Sequence, residues 1–493
     1  MLYSRIKVFK PIFMVERVAN IARNTSYFTL ALILQKVISL TYFTLYARTL
    51  GPADLGKYYT AISLTSIFSI LIDVGLSNVL TREIAKDNDK AHHWLRAALA
   101  IKLPLALVTS LIVVGLVNVL SFPELTRQLV YLSIACMVLD SFTLTFFSCS
   151  RAFHNLKFES LSSVVFQLIV LLSSLFILHQ GGGVRWLMLS LIAASLYNFF
   201  YSFLILWRYW RVKPWPAWHW LEIKKIWLLA VPFAGYAIAQ RAYTYLDSVM
   251  LAKIAGDVAT GVYQVPFKII NALQFLPMAF VASLYPALSL YWHNNRSQLS
   301  VTFTRAMQYS AIISLPIAIG GWVTADKLVM IFSDGYTGAI WPLRLGLAAL
   351  PFMFLSYPIG SLLNACDRQK RNTYNMLVVL IASVVANLFL IPRYGVVGAS
   401  LTVALTNILM IILGASQVKS ILGQAPKLLS GLLRILLAAG LMGLAVWQTK
   451  FIDNIFVLVA WGGFIYLLAL FLVKALRWSD IASIIKSFRR RAA

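Results

Sequence analysis

The chain has few charged residues, and very few of those are acidic. Only 12% of its 493 residues are charged, with 17 acidic residues against 43 basic ones. A soluble protein carries about 25% charged residues, so this composition excludes a globular enzyme with a single membrane anchor. Hydrophobic residues make up 60% of the sequence, and apolar runs of membrane-spanning length recur along all of it. The sequence therefore predicts an all-α polytopic membrane protein.

Cysteine and histidine are also scarce, with three and six residues respectively. Cys136 and Cys149 fall in one predicted helix, about 20 Å apart at the helical rise per residue, which is too far for a disulfide. His92 and His93 lie in a basic loop without partners at metal-ligand spacing. We therefore predict no disulfide, no metal site and no cofactor, apart from a coupling proton or sodium ion.

Basic residues exceed acidic ones so far that the formal net charge is +26. Membrane proteins concentrate Lys and Arg in cytoplasmic loops, and our placement of the spans puts roughly 30 of these residues on one side. Basic ends and an even number of spans predict that both termini are cytoplasmic. The charge thus indicates topology and affinity for anionic membrane lipids, not nucleic-acid binding.

Apolar length and punctuation predict about fourteen transmembrane helices. The predicted spans are 24–47, 56–78, 95–119, 128–149, 159–179, 185–206, 226–253, 259–290, 303–324, 338–362, 373–391, 396–418, 431–449 and 455–476. The inferred outer loops are all shorter than about 16 residues, which leaves no room for a catalytic domain outside the membrane.

The chain is predicted to divide into six parts. They are a basic cytoplasmic tail (1–23), a first lobe of six helices (24–207), a Trp-rich cytoplasmic interfacial linker (208–225), a second lobe of six helices (226–418), two accessory helices (430–476) and a basic amphipathic cytoplasmic tail (477–493). A weak internal repeat supports two equivalent lobes, which is a known transporter plan. In it Gly51, Gly56 and Tyr58 have the spacing of Gly256, Gly261 and Tyr263.

Polar residues form one face on each of the seventh and eighth spans. The first face holds Tyr236, Gln240, Tyr243 and Asp247, and the second holds Gln264, Lys268, Asn271 and Gln274, all at helical steps of three or four. A charge at the bilayer centre costs roughly 2.5–3.5 kcal/mol, so such groups normally face water or a partner. We therefore expect Lys36, Arg241, Asp247 and Lys268 to line a polar, partly cationic chamber.

Other polar groups have plainer explanations. Ser and Thr side chains within the spans are expected to bond between packed helices. Lys102 lies near a helix end and is expected to extend toward the headgroups, while Asp73 suits either a structural or a functional role. Pro232 and Pro266 flank the polar faces and are hinge candidates, with static curvature as the alternative.

Four segments carry a family resemblance. LYARTLGPADLGKYYTAISLTSIFSILIDVGLSNVLTREIA (45–85) and RAYTYLDSVMLAKIAGDVATGVYQVPFKI (241–269) resemble the openings of the two lobes of polysaccharide-unit flippases, members of the multidrug/oligosaccharidyl-lipid/polysaccharide exporter superfamily. FSDGYTGAIWPLRLGLAALPF (332–352) and IPRYGVVGASLTVALTN (391–407) are similar to later segments of that family. The order and spacing of the four segments make the resemblance specific.

The resemblance implies two six-helix lobes, two accessory helices and alternating access. The implied substrate is a polyprenyl-pyrophosphate-linked oligosaccharide, moved from the cytoplasmic to the outer leaflet of a bacterial plasma membrane. A polysaccharide polymerase and a chain-length regulator are the implied protein partners.

Residues suited to that substrate are present. Lys36, Arg241 and Lys268 could bind the pyrophosphate. Gln240, Tyr243, Gln264, Asn271 and Gln274 could contact sugars. A proton or sodium antiport would need a carboxylate, for which Asp247 is the first candidate and Asp140 the second.

Three alternatives remain open. A drug/cation antiporter of the same superfamily should have a chamber dominated by carboxylates, whereas Lys36, Arg241 and Lys268 are basic. A peptidoglycan-precursor flippase would be chemically close to the oligosaccharide flippase. A polyprenyl-dependent glycosyltransferase, polymerase or ligase is disfavoured because it would need catalytic residues on large outer loops.

Overall fold

The computed structural model describes residues 12–423 and 428–476, which are mostly helical and contain no strand. The helices are α1 (Ile12–Asp73), α2 (Leu76–Lys86), α3 (Ala91–Val119), α4 (Glu124–Ala152), α5 (Lys157–His179), α6 (Val184–Leu204), α7 (Trp220–Ile254), α8 (Gly256–Leu273), α9 (Phe275–Asn294), α10 (Arg296–Val323), α11 (Ala325–Met330), α12 (Ile340–Ala365), α13 (Gln369–Leu422), α14 (Leu429–Gln448) and α15 (Ile455–Leu472). The amphipathic tail predicted at 477–493 and residues 1–11 of the tail predicted at 1–23 lie outside the described residues, and residues 12–23 form the start of α1.

All fourteen predicted spans fall on these helical segments, which confirms the all-α membrane class. Eleven segments of the described chain are long and apolar enough to cross a membrane. Two of them, Tyr27–Lys86 and Gln369–Leu422, have 60 and 54 residues, far more than the roughly 20 that one crossing needs. The exact count of fourteen crossings stays a prediction.

Each of the two long segments contains a sharp glycine kink. Gly51 has φ 72° and ψ 175° within α1, and Gly395 has φ 54° and ψ −126° within α13. Positive φ is accessible to glycine because it has no Cβ. Both glycines lie where the sequence predicts a turn between two spans.

The chain divides into two compact units. The first contains the described residues up to Phe43 and Thr65–Ile238, and the second contains Thr44–Leu64 and the described residues from Ala239 onward. Helices α1 and α7 therefore contribute to both units. This division differs from the predicted lobes, whose boundaries stay a prediction.

The first unit packs α2, α3, α4 and α6 around a buried apolar core. Its core includes Leu80, Ile84 and Leu95. The Trp-rich linker covers one end of this core, where Trp210 stacks on Phe153 with ring centroids 4.4 Å apart and its indole N–H donates to Ser150 Oγ at 3.2 Å. Other linker tryptophans are exposed, as expected of an interfacial segment.

The second unit packs α12 against α13, α10, α9 and α8. At one end its core is formed by residues such as Phe303, Leu362 and Ile421. The accessory helices α14 and α15 pack on each other and on α10 through a separate cluster around Ala439 and Met442.

Within the second unit the two repeated turns pack against each other through glycine. A Cβ on Gly56 would overlap the backbone oxygen of Asp257, and a Cβ on Gly261 would overlap that of Pro52. The turns share local geometry as well, because Gly51 and Gly256 both have positive φ. Equivalent glycines of the repeat thus make reciprocal backbone contacts.

All three cysteines, Cys136, Cys149 and Cys366, are buried and have free thiols. Cys366 follows α12, where burial raises the pKa of its thiol to about 11.

Candidate functional site

Lys268 of α8 lies beside an aromatic ring contributed by α1. Its Nζ is 4.5 Å from the ring centroid of Tyr59, and its side chain is half-buried. A cation over a tyrosine ring gains roughly 0.5–2 kcal/mol, more where water is excluded. The ring therefore helps to hold an ammonium group inside a membrane-spanning helix.

Arg241 and Gln240 lie about two helical turns before Asp247 on α7. Both are exposed, and the guanidinium carbon of Arg241 is 5.7 Å from the ring centroid of Tyr245. A guanidinium has five N–H donors in a planar fork, so a surface-accessible Arg241 keeps donors available for an anion.

The break between α8 and α9 carries Gln274. Its side-chain oxygen accepts a 3.4 Å hydrogen bond from the Tyr357 hydroxyl, and its amide lies 3.8 Å from Met353 Sδ. Asn271, one turn earlier, is half-buried. These two predicted sugar contacts lie at or just after the C-terminal end of α8, within six residues of Lys268.

Asp247 is the centre of a buried polar cluster. Its Oδ1 accepts hydrogen bonds from Asn387 Nδ2 at 2.6 Å and Ser383 Oγ at 3.5 Å, and its Oδ2 accepts one from the Tyr263 hydroxyl at 3.2 Å. Asn387 is fully buried, and its own Oδ1 has no hydrogen-bond donor among the described residues. The cluster thus combines a carboxylate with a spare oxygen acceptor.

Tyr243 and Gln264 are used in contacts between helices. The Tyr243 hydroxyl lies 2.9 Å from Thr406 Oγ1 and accepts from Asn407 Nδ2 at 3.0 Å. Gln264 is fully buried and donates to Ser248 Oγ at 3.0 Å. Both were predicted as sugar contacts, which stays a prediction, but in this conformation they join α7 to α13 and to α8.

Sequence reasoning missed the contribution of α13. Ser383 and Asn387 are four residues apart, so these two polar positions share one face of α13. That spacing was a usable signal. The spacing could not show that these residues contact Asp247, which lies 140 residues before Asn387 in the sequence.

The first unit contains a buried ion pair between Lys102 and Asp73. The sequence had predicted a different position for the Lys102 side chain. Lys102 does not extend toward the headgroups; it is fully buried, and its Nζ donates to Asp73 Oδ1 at 2.9 Å. It also donates to the Ser141 carbonyl at 2.7 Å and to Thr145 Oγ1 at 2.5 Å. An ammonium has three donors, and all three have acceptors here, which explains why the side chain turns inward.

Lys36 and Asp140 also belong to the first unit. Lys36 is half-buried on α1, and Asp140 is exposed on α4. Arg241 and Lys268 belong to the second unit, so the shared cationic chamber stays a prediction.

The hinge prolines stay predictions too. Pro266 is buried, and α8 continues through it to Leu273 without a break. Pro232 lies within α7, but its side chain is outside the described residues. Besides the kinks at Gly51 and Gly395, the helices break at Gln274, between α8 and α9, and at Val74–Gly75, between α1 and α2. Val74 and Gly75 both have positive φ.

The helical fold and the ionisable groups within its spans define a class, the multi-pass membrane transporters. A solved structure of the lipid II flippase MurJ, inward closed conformation, has a TM-score of 0.75 at 15% identity and covers 92% of this chain and 99% of that one. An inward-facing multidrug-resistance MATE transporter has a TM-score of 0.60 at 14% identity, covering 80% of this chain and 95% of that one. At these identities the likeness shows the fold alone.

Comparison of the sequence with family models identifies a family within this class. A family model described as polysaccharide biosynthesis protein matches residues 21–292, more than half of the chain, and the chain belongs to that family. A MatE family model matches residues 232–394. Capsular polysaccharide biosynthesis protein CapF of Staphylococcus aureus is 18% identical over 395 residues, 79% of this chain and 97% of that protein. The resemblance predicted from the sequence motifs is thereby confirmed.

Proposed function

We propose that the protein is a flippase that moves polyprenyl-pyrophosphate-linked oligosaccharides from the cytoplasmic to the outer leaflet of a bacterial plasma membrane. The observation that carries the proposal is Lys268, a half-buried ammonium against the Tyr59 ring, in a chain of the polysaccharide biosynthesis family. An ammonium group has three N–H donors, and hydrogen bonds from it to phosphate oxygens are strengthened by the charges of both groups. Lys268 therefore suits a pyrophosphate that crosses the membrane.

The rest of the substrate suits the residues around Lys268. Arg241 offers a planar fork for phosphate oxygens, and Lys36 stays a predicted third cation. Gln240, Asn271 and Gln274 offer amides to sugar hydroxyls, and Tyr357 already donates to Gln274. The polyprenyl tail would stay in the bilayer, so no apolar pocket is required.

Transport would proceed by alternating access. The reciprocal contacts of Gly56 and Gly261 bring two backbone turns together at the end predicted to face outward. Opening toward that side would have to separate these turns, and Pro232 and Pro266 are the hinge candidates.

Asp247 is our first candidate for ion coupling. Its carboxylate and the spare Oδ1 of Asn387 give oxygen acceptors, which suit a proton or a hard cation such as Na⁺. One charge crossing 100 mV supplies about 2.3 kcal/mol. Asp140, exposed on α4, is the second candidate.

Deletion of the gene followed by mass spectrometry of lipid-linked sugars tests the proposal. We expect complete oligosaccharide-lipids to accumulate on the cytoplasmic side. Truncated glycans would instead indicate an enzyme that builds them. Loss of polymer with normal outward transfer would place the defect at the polymerase or chain-length regulator that we expect as partners.

A drug/cation antiporter is the second candidate, favoured by the MatE match at residues 232–394. It predicts export of cationic drugs and no accumulated lipid-linked sugar in the deletion strain. A peptidoglycan-precursor flippase, favoured by the fold shared with MurJ, predicts accumulated peptidoglycan precursor instead. The same extraction therefore separates the three functions.

A further inference from the structure

A cationic cavity lies between α10, α14 and the residues that follow α15. It has a volume of about 200 Å³ and is lined by Arg305, Arg434 and Lys474, together with Gln308 and Tyr309. One water needs only about 10–15 Å³ of such space, so the cavity has room for a hydrated phosphate group. All of these residues belong to the second unit, and none is in the predicted transport site.

The three cations have no carboxylate partner among the described residues. None of the residues lining the cavity is acidic, and none of the three basic side chains forms a salt bridge with the rest of the described chain. Three like charges around one space repel each other unless an anion lies between them.

At the opposite end of α14 and α15, in contrast, a basic side chain is paired with an acidic one. There Lys450 pairs with Asp326 at 2.6 Å, and Lys327 Nζ donates to the Ile452 carbonyl at 2.6 Å. Among the described residues, an acid thus pairs with a lysine at one end of α14 and α15, whereas the charged residues that line the cavity at the other end are all basic. The donors at the basic end, two guanidinium groups, an ammonium, an amide and a phenol, are those that bind phosphate oxygens.

The surface beside the cavity is apolar and exposed. Leu429, Leu433, Leu437 and Leu472 are between 50% and 73% exposed, and each lies within three residues of a cavity-lining residue of α14 or of Lys474. An anion site next to such a surface matches an amphiphile with a charged head and hydrocarbon chains. A free phosphate would make no use of the leucines.

We propose that this cavity binds the phosphate headgroup of an anionic membrane phospholipid, whose acyl chains lie along the exposed leucines of α14 and α15. The lipid would complete the contact of the accessory pair with α10 in the leaflet predicted to be cytoplasmic. The site is separate from the transported substrate, so this inference goes beyond the proposed function.

Native mass spectrometry of the purified full chain tests the proposal, with phosphatidylglycerol and phosphatidylcholine as probes. The test variant combines Arg305→Gln, Arg434→Gln and Lys474→Gln. The matched control combines Lys370→Gln, Arg371→Gln and Lys419→Gln, which removes the same charge from exposed positions on the same predicted side. We expect phosphatidylglycerol to bind the wild type and control at least about tenfold more tightly than the test variant.

The Arg305→Lys and Arg434→Lys pair keeps the charge and guards against a folding defect; it should retain most of the binding. Equal retention of both lipids, or equal loss in the test and control variants, would overturn the proposal. Displacement of phosphatidylglycerol by inorganic phosphate at equal concentration would show an anion site without lipid selectivity and would also overturn it. Preferential binding of a polyprenyl-pyrophosphate sugar, lost in the test variant, would assign the cavity to the transported substrate instead.

Discussion

At the scale of single residues, the Lys102–Asp73 pair shows how burial decides the role of a charge. Lys102 donates three hydrogen bonds, and Asp73 also accepts from Ser77 Oγ at 2.5 Å. A satisfied pair of this kind is structural, because neither charge is available to a passing substrate. Removing one partner of a buried pair leaves the other charge without compensation.

We therefore predict that Lys102→Met lowers the free energy of unfolding by about 3–5 kcal/mol, measured as loss of thermal stability in detergent. The double variant Lys102→Met with Asp73→Leu should recover much of that loss, since no isolated charge remains. A single variant as stable as wild type would contradict the structural role of the pair.

For Asp247 we expect a functional role, which is tested by transport and not by stability. Asp247→Asn keeps the shape of the cluster but removes its charge. We expect normal abundance and folding, with transport that no longer responds to a proton or sodium gradient in proteoliposomes. Thr244→Val, which removes a hydroxyl on the same helix that donates to the Gln240 carbonyl at 2.8 Å, serves as the control. A gradient response that survives Asp247→Asn would shift the coupling role to Asp140.

These residues also mark what the sequence can predict. Helical spacing predicted that Asp247 shares a face with other polar residues of α7, because periodicity is local. Its partners Ser383 and Asn387 are 136 and 140 residues away, and only tertiary packing brings them to it. Lys102 was misassigned for the same reason, since its acceptors come from two other segments.

At the scale of helices and turns, the most constrained feature is the pair of packed glycine turns. The sequence predicted both turns from their glycines, yet spacing alone did not reveal that the turns touch. Gly56 and Gly261 each lie against the backbone of the other turn, and backbone cannot move aside as a flexible side chain does.

We predict that Gly56→Ala and Gly261→Ala each weaken this contact and reduce complementation strongly. Gly115→Ala is the control, because an added Cβ there meets nothing within 4 Å; it should be neutral or slightly stabilising, by up to about 1 kcal/mol. Complementation of a deletion strain, corrected for membrane abundance, measures the effect. Equal activity of all three variants would refute the tight packing of the turns.

The ion pair at the other end of the accessory helices predicts a pH effect. Partial burial favours the neutral acid, but the hydrogen bond and charge of Lys450 outweigh it, so the pKa of Asp326 lies below its usual range. The stabilising contribution is therefore fully present above the ordinary carboxyl pKa of about 4 and is lost as the pH falls through the lower folded-state pKa.

We expect Asp326→Asn to lower the melting temperature slightly at pH 7, with the difference from wild type disappearing at strongly acidic pH. Exposed pairs contribute roughly 0–1 kcal/mol, so the shift should be small. A difference that stays constant with pH would exclude the ion pair as its cause.

At the scale of the whole molecule, we propose that Arg241 and Lys268, two cations of the second unit, bind the transported substrate. We predict that Arg241→Ala and Lys268→Ala each abolish complementation while membrane abundance stays normal, because each would remove a contact to the pyrophosphate. Arg393→Ala, an exposed arginine beside the Gly395 kink, is the control. Full complementation by both variants would remove the second unit from the substrate site.

The overall architecture was the most predictable property, because apolar length and glycine punctuation act over short stretches of chain. All fourteen predicted spans coincide with helical segments. The grouping of Thr44–Leu64 with the second unit was not predictable from the sequence. It involves contacts of Gly56 and Gly261 with backbone that is distant in the sequence.

The buried thiols have a practical consequence for spectroscopy. Only a thiolate reacts readily with maleimides and methanethiosulfonates, and the pKa of Cys366 is about 11, while Cys136 and Cys149 are enclosed by packed helices. Single cysteines introduced at exposed positions should therefore take up spin labels or fluorophores selectively. Distance measurements on a transporting molecule can then start from the native background, with no cysteine-free variant.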